Sequence, residues 1–229
     1  MHEALGRFAQ RFPDRLPEAV CAELAALAEA ALGELAASPR VAAFWAPRFA
    51  RFAAWFAATE RTRRTGMTAT LAEVEGAIVL AGKAGPFTLK ARADRIDVGP
   101  NCLAISDYKT GNVSDLKRRA EQGRAPQLPL EAAIALVGGF TGLPAQVVLR
   151  RSSIAAAGGE PPGQECALDA DVVRLAREAR DGLTRLIAAF DDPDTPYRAL
   201  RRARFTYRFD DYAQLARVAE WSAETVEEA

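Results

Sequence analysis

The sequence has few of the residues that build covalent or metal-bound frameworks. Its 229 residues include three cysteines and one histidine. Cys21, Cys102 and Cys166 lie far apart and form no C-x-x-C pair. This spacing argues against a disulfide framework and a structural zinc site, and we expect reduced, buried thiols.

Long apolar runs and an excess of one charge are also missing. No stretch approaches the roughly 20 apolar residues of a membrane span, and the start MHEALGRFAQRF contains no signal-peptide core. The formal net charge is +0, so the overall field does not indicate a nucleic-acid partner, although a local basic groove can lie on a neutral protein. We expect a cytoplasmic protein with no membrane partner.

The spacing of apolar residues is helical in the first part of the chain and strand-like later. Helices are predicted over 2–37 and 40–60, and the aromatic run from Phe44 to Phe56 is either a buried face or a docking face. Its arginines are expected on a solvated rim: Arg48, Arg51, Arg61, Arg63 and Arg64. Strands are predicted at 71–80, 86–98, 102–109 and 145–153, with 155–165 as a surface loop. Further helices are predicted at 115–122, from Gln127 to Gly138, at 169–191 and at 211–222.

This order predicts an α/β domain whose mixed sheet begins with an antiparallel hairpin and continues through a crossover. We expect a single domain over 1–229. It would have a helical part at 1–64, a catalytic core at 70–155, and a C-terminal helix and tail at 165–229. The chain is expected to be a piece of a longer protein.

Two aspartates lie on the predicted hairpin where they would face each other. Asp94 precedes the turn at 99–101 and Asp107 follows it, which would bring their Cβ atoms to ~4.5–5.5 Å. Such carboxylates repel unless a cation lies between them, and Mg²⁺ is held by one or two carboxylates and water. Lys109 shares the strand face of Asp107 and could steer a water molecule or stabilise a phosphate. The alternative is an ordinary exposed ion pair.

The segments around these residues resemble a known family. ARADRIDV, NCLAISDYKTG and QLPLEAAIAL, with the leading HEALGRFAQRFPDRLP and the tail FTYRFDDYAQLARVAEW, resemble the RecB-like branch of the PD-(D/E)XK nucleases. More narrowly, they resemble the C-terminal nuclease domain of AddB, a subunit of AddAB helicase–nucleases. The resemblance implies a restriction-endonuclease-like fold, exonuclease action on single-stranded DNA in double-strand break repair, and an AddA-type helicase partner.

The resemblance also implies roles for single residues. Asp94 and Asp107 would bind Mg²⁺, for which Mn²⁺ can substitute, with the Tyr108 carbonyl and His2 as further ligands. Lys109 would be the catalytic lysine.

Three other positions bear on this site. Gln127 corresponds to the glutamine of a Gln-x-x-x-Tyr motif, in which Glu131 here replaces the tyrosine. Glu75 is either a metal ligand, a residue that supports the ligands, or an ordinary exposed strand residue, and Asp97 is expected in a turn or at the surface. Many AddB proteins carry an iron–sulfur cluster on four cysteines, which three scattered cysteines cannot supply, so we expect no cluster.

DNA contacts are expected from basic side chains near the predicted site and in the tail. The candidates near the site are Arg92, Arg95, Lys117, Arg118, Arg119 and Arg124. The tail adds Arg201, Arg202, Arg204 and Arg208, interleaved with Phe205 and Tyr207. The tail aromatics would either stack on bases or fill a core.

Two other kinds of function stay open. A nuclease-like domain could bind DNA or a partner subunit without cutting, and a helical interaction module could use the aromatic run of 40–60. The presence of Asp94, Asp107 and Lys109 together argues against the first alternative, and the second predicts nothing about Asp94 or Lys109.

Overall fold

The computed structural model describes residues 1–109, 114–144, 148–157, 162–168 and 171–196. Its first part is helical, as predicted. Helix α1 (His2–Arg11) is followed by α2 (Val20–Leu32), a 3₁₀ turn (Gly33–Ala37), a π-helical turn (Val41–Trp45) and α3 (Ala46–Arg63). The break between α1 and α2 contains Pro13 and Pro17, because proline lacks the N–H that a helix interior needs.

The strands form one mixed sheet, and the α/β fold class predicted from the sequence is confirmed. The strands are β1 (Ala69–Leu80), β2 (Phe87–Gly99), β3 (Cys102–Lys109), β4 (Val148–Ala157) and β5 (Gly163–Ala167). They lie in the order β1-β2-β3-β4-β5, and only the β3–β4 pair is parallel. Helices α4 (Ser114–Glu121) and α5 (Gln127–Leu136) lie in the crossover between β3 and β4.

Both ends of the predicted surface loop at 155–165 are wrong, since β4 continues to Ala157 and a further strand begins at Gly163. Residues Gly163–Ala167 form β5, which pairs antiparallel with β4 from Ser153↔Ala167 to Ala157↔Gly163. The glycine- and proline-rich composition suggested a loop, but strand formation depends on the neighbouring strand as well as on intrinsic preference.

Two apolar clusters form the core. One includes Ile96 and Ile105 of the sheet together with Ile134 of α5. The other packs α1, α2 and α3 together and includes Tyr108 of β3. In the aromatic run, Phe49, Phe52 and Phe56 are buried, which confirms the buried-helix interpretation for them, whereas Phe44 is 68% exposed.

Helix α5 starts and stops where its sequence dictates. Pro129 lies in the first turn, where no intrahelical N–H bond is lost. Gly138 adopts a φ of 69° after the last turn, a conformation that favours glycine. Gly139 then approaches β1 so closely that a Cβ atom would lie 2.5 Å from the Ala77 carbonyl oxygen. The start of α5 at Gln127 is therefore well defined, and this residue matters for the site.

The chain divides into two compact units, residues 1–188 and 189–229. Helix α6 (Val172–Phe190) follows β5. Within the described ranges, no helix combines the length and apolar character needed to cross a membrane.

Candidate active site

The site begins where two paired strands separate. The β2–β3 ladder runs from Gly99↔Cys102 to Arg95↔Ser106 and stops there, so Asp94 and Asp107 occupy the next facing position. Instead of another ladder bond, the backbone N–H of Tyr108 donates a 2.8 Å hydrogen bond to Oδ2 of Asp94. The predicted hairpin register is therefore the one observed, and a side chain takes the place of the ladder at this point.

Asp107 lies on the α5 side of this fork with Lys109 and Gln127. Lys109 Nζ is 2.9 and 2.8 Å from the two oxygens of Asp107. Gln127 Nε2 donates to Asp107 Oδ1 at 2.8 Å, and Gln127 Oε1 accepts from Lys109 Nζ at 3.1 Å. These three side chains, predicted from separate segments, form one closed ring of hydrogen bonds.

Helix α1 brings His2 to the same place. His2 Nδ1 lies 3.3 Å from Asp94 Oδ2, and the His2 and Tyr108 rings meet edge to face with centroids 6.3 Å apart. Asp94 is thus approached by the histidine side chain and by the Tyr108 amide. These contacts form two groups, one of His2, Asp94 and Tyr108 and the other of Asp107, Lys109 and Gln127. The groups adjoin along β3, where Asp107 precedes Tyr108. The six residues predicted for the metal and the chemistry therefore lie at the same end of the β2–β3 ladder.

A second carboxyl group on α5 lies behind Gln127. Glu131 is 3% exposed, and its Oε1 accepts a hydrogen bond from Gln127 Nε2 at 3.1 Å. Its buried Oε2 has no hydrogen-bond partner among the residues that the structure describes. Burial, reinforced by the charges of Asp107 and Asp94, raises the pKa of Glu131 to about 7 although Gln127 lowers it.

The electrostatics of Asp107 fit a cation site. Burial raises the pKa of Asp107 above its usual value, and the like charge of Asp94 adds to this, while Lys109 acts in the opposite sense. A divalent cation bound by the two carboxylates would offset both the cost of burying the Asp107 charge and its repulsion by Asp94.

The donor set around the fork suits a hard cation. Two carboxylates, the Tyr108 carbonyl and water are the oxygen donors that Mg²⁺ uses, and it keeps several waters when it binds to proteins. Across the described ranges, no three His, Cys, Asp or Glu side chains are grouped so that they could hold a metal ion by themselves. The residues present therefore fit an open site completed by backbone and water rather than a closed cage of side chains.

A buried charged network lies behind Tyr108. Arg95, 1% exposed, donates from Nη2 and Nε to Asp97 at 2.7–3.0 Å and from Nη1 to Glu60 at 2.8 Å. Arg95 Nη1 also donates to the Tyr108 hydroxyl at 3.2 Å, and Thr70 donates to Asp97 at 2.7 Å. This network connects α3, β1 and β2 to Tyr108, which lies between Asp107 and Lys109 on β3.

The network corrects three predictions. Arg95 cannot contact DNA directly because its guanidinium is enclosed by Asp97, Glu60 and Tyr108. Asp97 is not at the surface: it is fully buried because Arg95 and Thr70 satisfy its oxygens. Arg63 is not on a solvated rim, since its two terminal nitrogens bind Glu60 at 3.2 Å and Glu165 at 2.9 Å in the interior.

The other predicted DNA contacts lie on accessible parts of the chain or outside its described part. The Arg92 side chain is 64% exposed and pairs with Glu73 at 2.7 Å. Lys117, Arg118 and Arg119 lie on α4, with Arg124 in the turn after it. The tail residues Arg201, Arg202, Arg204, Phe205, Tyr207 and Arg208 lie outside the described residues, as does the predicted helix 211–222.

The sequence interpretation named Glu75 near the site but overlooked Glu73. The β1–β2 register pairs Glu75 with Arg92 and skips Glu73, which lies between Ala72 and Val74. The Glu73 carboxylate pairs with Arg92 at 2.7 Å. Glu73 has a φ of 58°, which is unusual for a residue other than glycine. For Glu131 the sequence offers two signals, the missing tyrosine and the spacing of four residues from Gln127.

Comparison with known proteins identifies the family. The family model of the PD-(D/E)XK nuclease superfamily matches residues 1–218.

This chain belongs to the PD-(D/E)XK nuclease superfamily. Membership implies nuclease activity and suggests DNA binding, and PD-(D/E)XK nucleases in general depend on a divalent metal. The comparison with curated proteins finds no match. Among solved structures, the one described as "Crystal structure of SSO0001" is 15% identical, covers 69% of this chain and 69% of its own, and has a TM-score of 0.31. At that TM-score the likeness says nothing about the site.

Proposed function

We propose that this member of the superfamily is a Mg²⁺-dependent deoxyribonuclease that acts as an exonuclease on single-stranded DNA. The observation that carries the proposal is the fork between β2 and β3. There Asp94 and Asp107 leave the ladder together, and Lys109 lies within 2.9 Å of Asp107. Two carboxylates and an amine at one edge of a sheet supply what phosphodiester hydrolysis requires: a cation site and a group that handles water.

Each side chain of the fork has a task in this proposal. Asp94, Asp107 and the Tyr108 carbonyl would hold the metal, and His2 would support it beside Asp94. When bound, the metal would supply Lewis-acid stabilisation of the phosphate charge. Lys109 orients the attacking water and, as a cation, stabilises the charge that builds on the phosphate oxygens. The P–O3′ bond breaks, and the products carry a 5′-phosphate and a 3′-hydroxyl.

A groove next to the fork, which holds Lys90 and Arg92 together with Glu75, supports a path for the DNA backbone. The β1–β2 hairpin continues past the end of the β2–β3 ladder as far as Leu80↔Phe87. This groove, of about 600 Å³, follows it and is lined by Lys90 and Arg92 among others. Both side chains precede Asp94 on β2 at intervals of two residues, so phosphates held by them would lead toward the site.

An AddB-type role belongs to the same proposal. The segments that resemble AddB nuclease domains contain the residues of the fork, and an AddA-type helicase partner would deliver unwound single strands to it. A pull-down of this protein with such a subunit, followed by an assay of unwinding-coupled degradation of duplex DNA, tests this part separately from the chemistry.

The chemistry is tested with end-labelled single-stranded DNA in Mg²⁺, in Mn²⁺ and in chelator. We expect cutting that requires a divalent metal and is lost in Asp107→Ala. Binding without cutting by the wild type would favour an inert DNA-binding domain. The absence of both binding and cutting would overturn the proposal. Circular single-stranded DNA is the matched control substrate, because an endonuclease cuts it and an exonuclease, which needs a free end, does not.

A further inference from the structure

We propose that Glu131 is a positioning residue that fixes the side-chain amide of Gln127 and, through it, holds Lys109 and Asp107 in their working arrangement. This inference rests on the proposed nuclease function. It concerns the position at which the Gln-x-x-x-Tyr motif has tyrosine and this chain has glutamate.

The side-chain amide of Gln127 has a hydrogen-bond partner for its oxygen and for each of its two N–H groups. Its Nε2 carries two N–H groups, one directed to Asp107 at 2.8 Å and the other to Glu131 at 3.1 Å. Its Oε1 accepts from Lys109 at 3.1 Å. If the amide rotated by half a turn, its oxygen would face two carboxyl groups and its N–H groups would face an ammonium ion. The surroundings therefore select one orientation.

Glu131 can hold this orientation because it is itself held. It lies one turn after Gln127 on α5, and side chains four residues apart are neighbours on a helix. Gln127 is on the exposed side of the site, whereas Glu131 is buried beside core residues of the same helix. The buried side chain is thus the fixed support, and the exposed amide is the part that needs support.

Packing alone does not explain a glutamate at this position. Its Oε2 is buried without a partner among the described residues, and a buried polar atom without a hydrogen bond lowers stability. An apolar side chain of similar size would avoid that cost. The carbonyl-type oxygen Oε1 accepts the Gln127 hydrogen bond whether or not the group is ionised, so the positioning role does not depend on the charge of Glu131.

The kinetic test compares four variants on single-stranded DNA at saturating metal: Glu131→Gln, Glu131→Leu, Gln127→Ala and the double variant Gln127→Ala/Glu131→Leu. Glutamine keeps the acceptor, so we expect Glu131→Gln to retain kcat within about threefold. Glu131→Leu should lower kcat by about tenfold or more with KM unchanged, in the range typical for lost supporting contacts. In the Gln127→Ala background, Glu131→Leu should have almost no further effect, because the contact through which it acts is already gone.

Two kinetic outcomes overturn the inference. An equal loss from Glu131→Leu in both backgrounds would show that Glu131 acts by supporting the fold rather than through Gln127. A Glu131→Gln variant as impaired as Glu131→Leu would show that the acceptor oxygen is not what matters. Thermal melting controls for folding, and Glu131→Leu should melt at or above the wild-type temperature. If it does not fold, Glu131→Met replaces it.

A measurement without catalysis separates this inference from the proposed function. The NMR signals of the Gln127 side-chain NH₂ should show slow hydrogen exchange in wild type and Glu131→Gln, and fast exchange in Glu131→Leu. Fast exchange in the wild type would overturn the inference even in an active enzyme. Slow exchange in an inactive wild type would keep the positioning contact and overturn only the nuclease proposal.

Discussion

The backbone N–H of Tyr108 donates a hydrogen bond to the Asp94 carboxylate across the end of the β2–β3 ladder, at 2.8 Å. This bond ties a side chain of β2 to the main chain of the β3 segment that carries Asp107 and Lys109. The two strands can separate there without leaving the Tyr108 N–H unsatisfied. In the proposed metal site, this separation would give both carboxylates room to bind one cation.

Replacing Asp94 by asparagine should therefore separate structure from chemistry. Asparagine can still accept from the Tyr108 N–H, so Asp94→Asn should melt within a few degrees of the wild type. Without the charge it should bind Mn²⁺ weakly and cut DNA at least ~100-fold more slowly, since loss of even a supporting contact costs 10–100-fold in metal sites. Asp94→Ala should lose stability as well as activity. If Asp94→Asn cut DNA at the wild-type rate, the assignment of Asp94 as a metal ligand would be contradicted.

Removing the amine of Lys109 should affect turnover rather than DNA affinity. Lys109→Met keeps the length and apolar stem of the side chain but cannot steer water or offset charge. We expect kcat to fall on the order of 100-fold or more, with an unchanged dissociation constant for DNA in Ca²⁺, measured by fluorescence anisotropy. Lys109→Arg is the matched control for charge without the same geometry. A loss confined to DNA affinity would place Lys109 among the phosphate contacts instead.

Arg92 and Arg95 lie on one strand, and they should behave in opposite ways. Arg95→Met leaves Asp97 buried without its cation and removes one of the three arginines paired with Glu60, which should lower the free energy of unfolding by roughly 3–5 kcal/mol. Arg92→Met should leave urea unfolding nearly unchanged, because its ion pair with Glu73 is exposed. Arg92→Met should instead weaken single-strand binding and reduce the slope of log affinity against log salt by about 0.7. Equal effects of the two variants on DNA affinity would contradict the division between them.

The contrast between these arginines shows how far the sequence alone leads. The row of Asp107 and Lys109, and the hairpin that opposes Asp94 to Asp107, follow from strand periodicity and one turn signal. The burial of Arg95 does not, because an arginine on an alternating strand looks the same whether it faces water or faces Glu60 of a distant helix. Such pairings are decided by how α3 packs on the sheet, and no local pattern encodes them. Glu131 is a mixed case: its spacing of four residues from Gln127 on one helix is visible in the sequence, but its burial depends on how α5 packs on the sheet.

The buried network should also make stability depend on pH through Glu60. Burial alone would raise the pKa of Glu60, but Arg95 and two further arginines outweigh it, so the pKa is lowered in the folded protein. A lowered pKa means that the carboxylate contributes stability above its unfolded pKa, and that this contribution is lost as the pH falls through the folded value. In urea titrations, the free energy of unfolding of the wild type should therefore fall more than that of Glu60→Gln as the pH is lowered below 5. Parallel curves for the two proteins would show that Glu60 does not titrate as described.

Addition of Mg²⁺ to the metal-free protein should raise its melting temperature, because the ion binds at the fork and stabilises the folded state. A ligand at 100 times its dissociation constant stabilises the folded state by about 2.7 kcal/mol, which corresponds to several degrees for a protein of this size. Chelator should reverse the shift, and Asp107→Asn should abolish it.

Glu75→Gln is the matched control for this metal shift, because Glu75 faces Arg92 rather than Asp94. It removes one carboxylate from the same sheet but should leave the shift intact. Loss of the shift in Glu75→Gln would mean that the cation lies further along the hairpin, in the groove with Lys90 and Arg92. A shift that survives in Asp107→Asn would mean that the stabilising ion binds away from the fork.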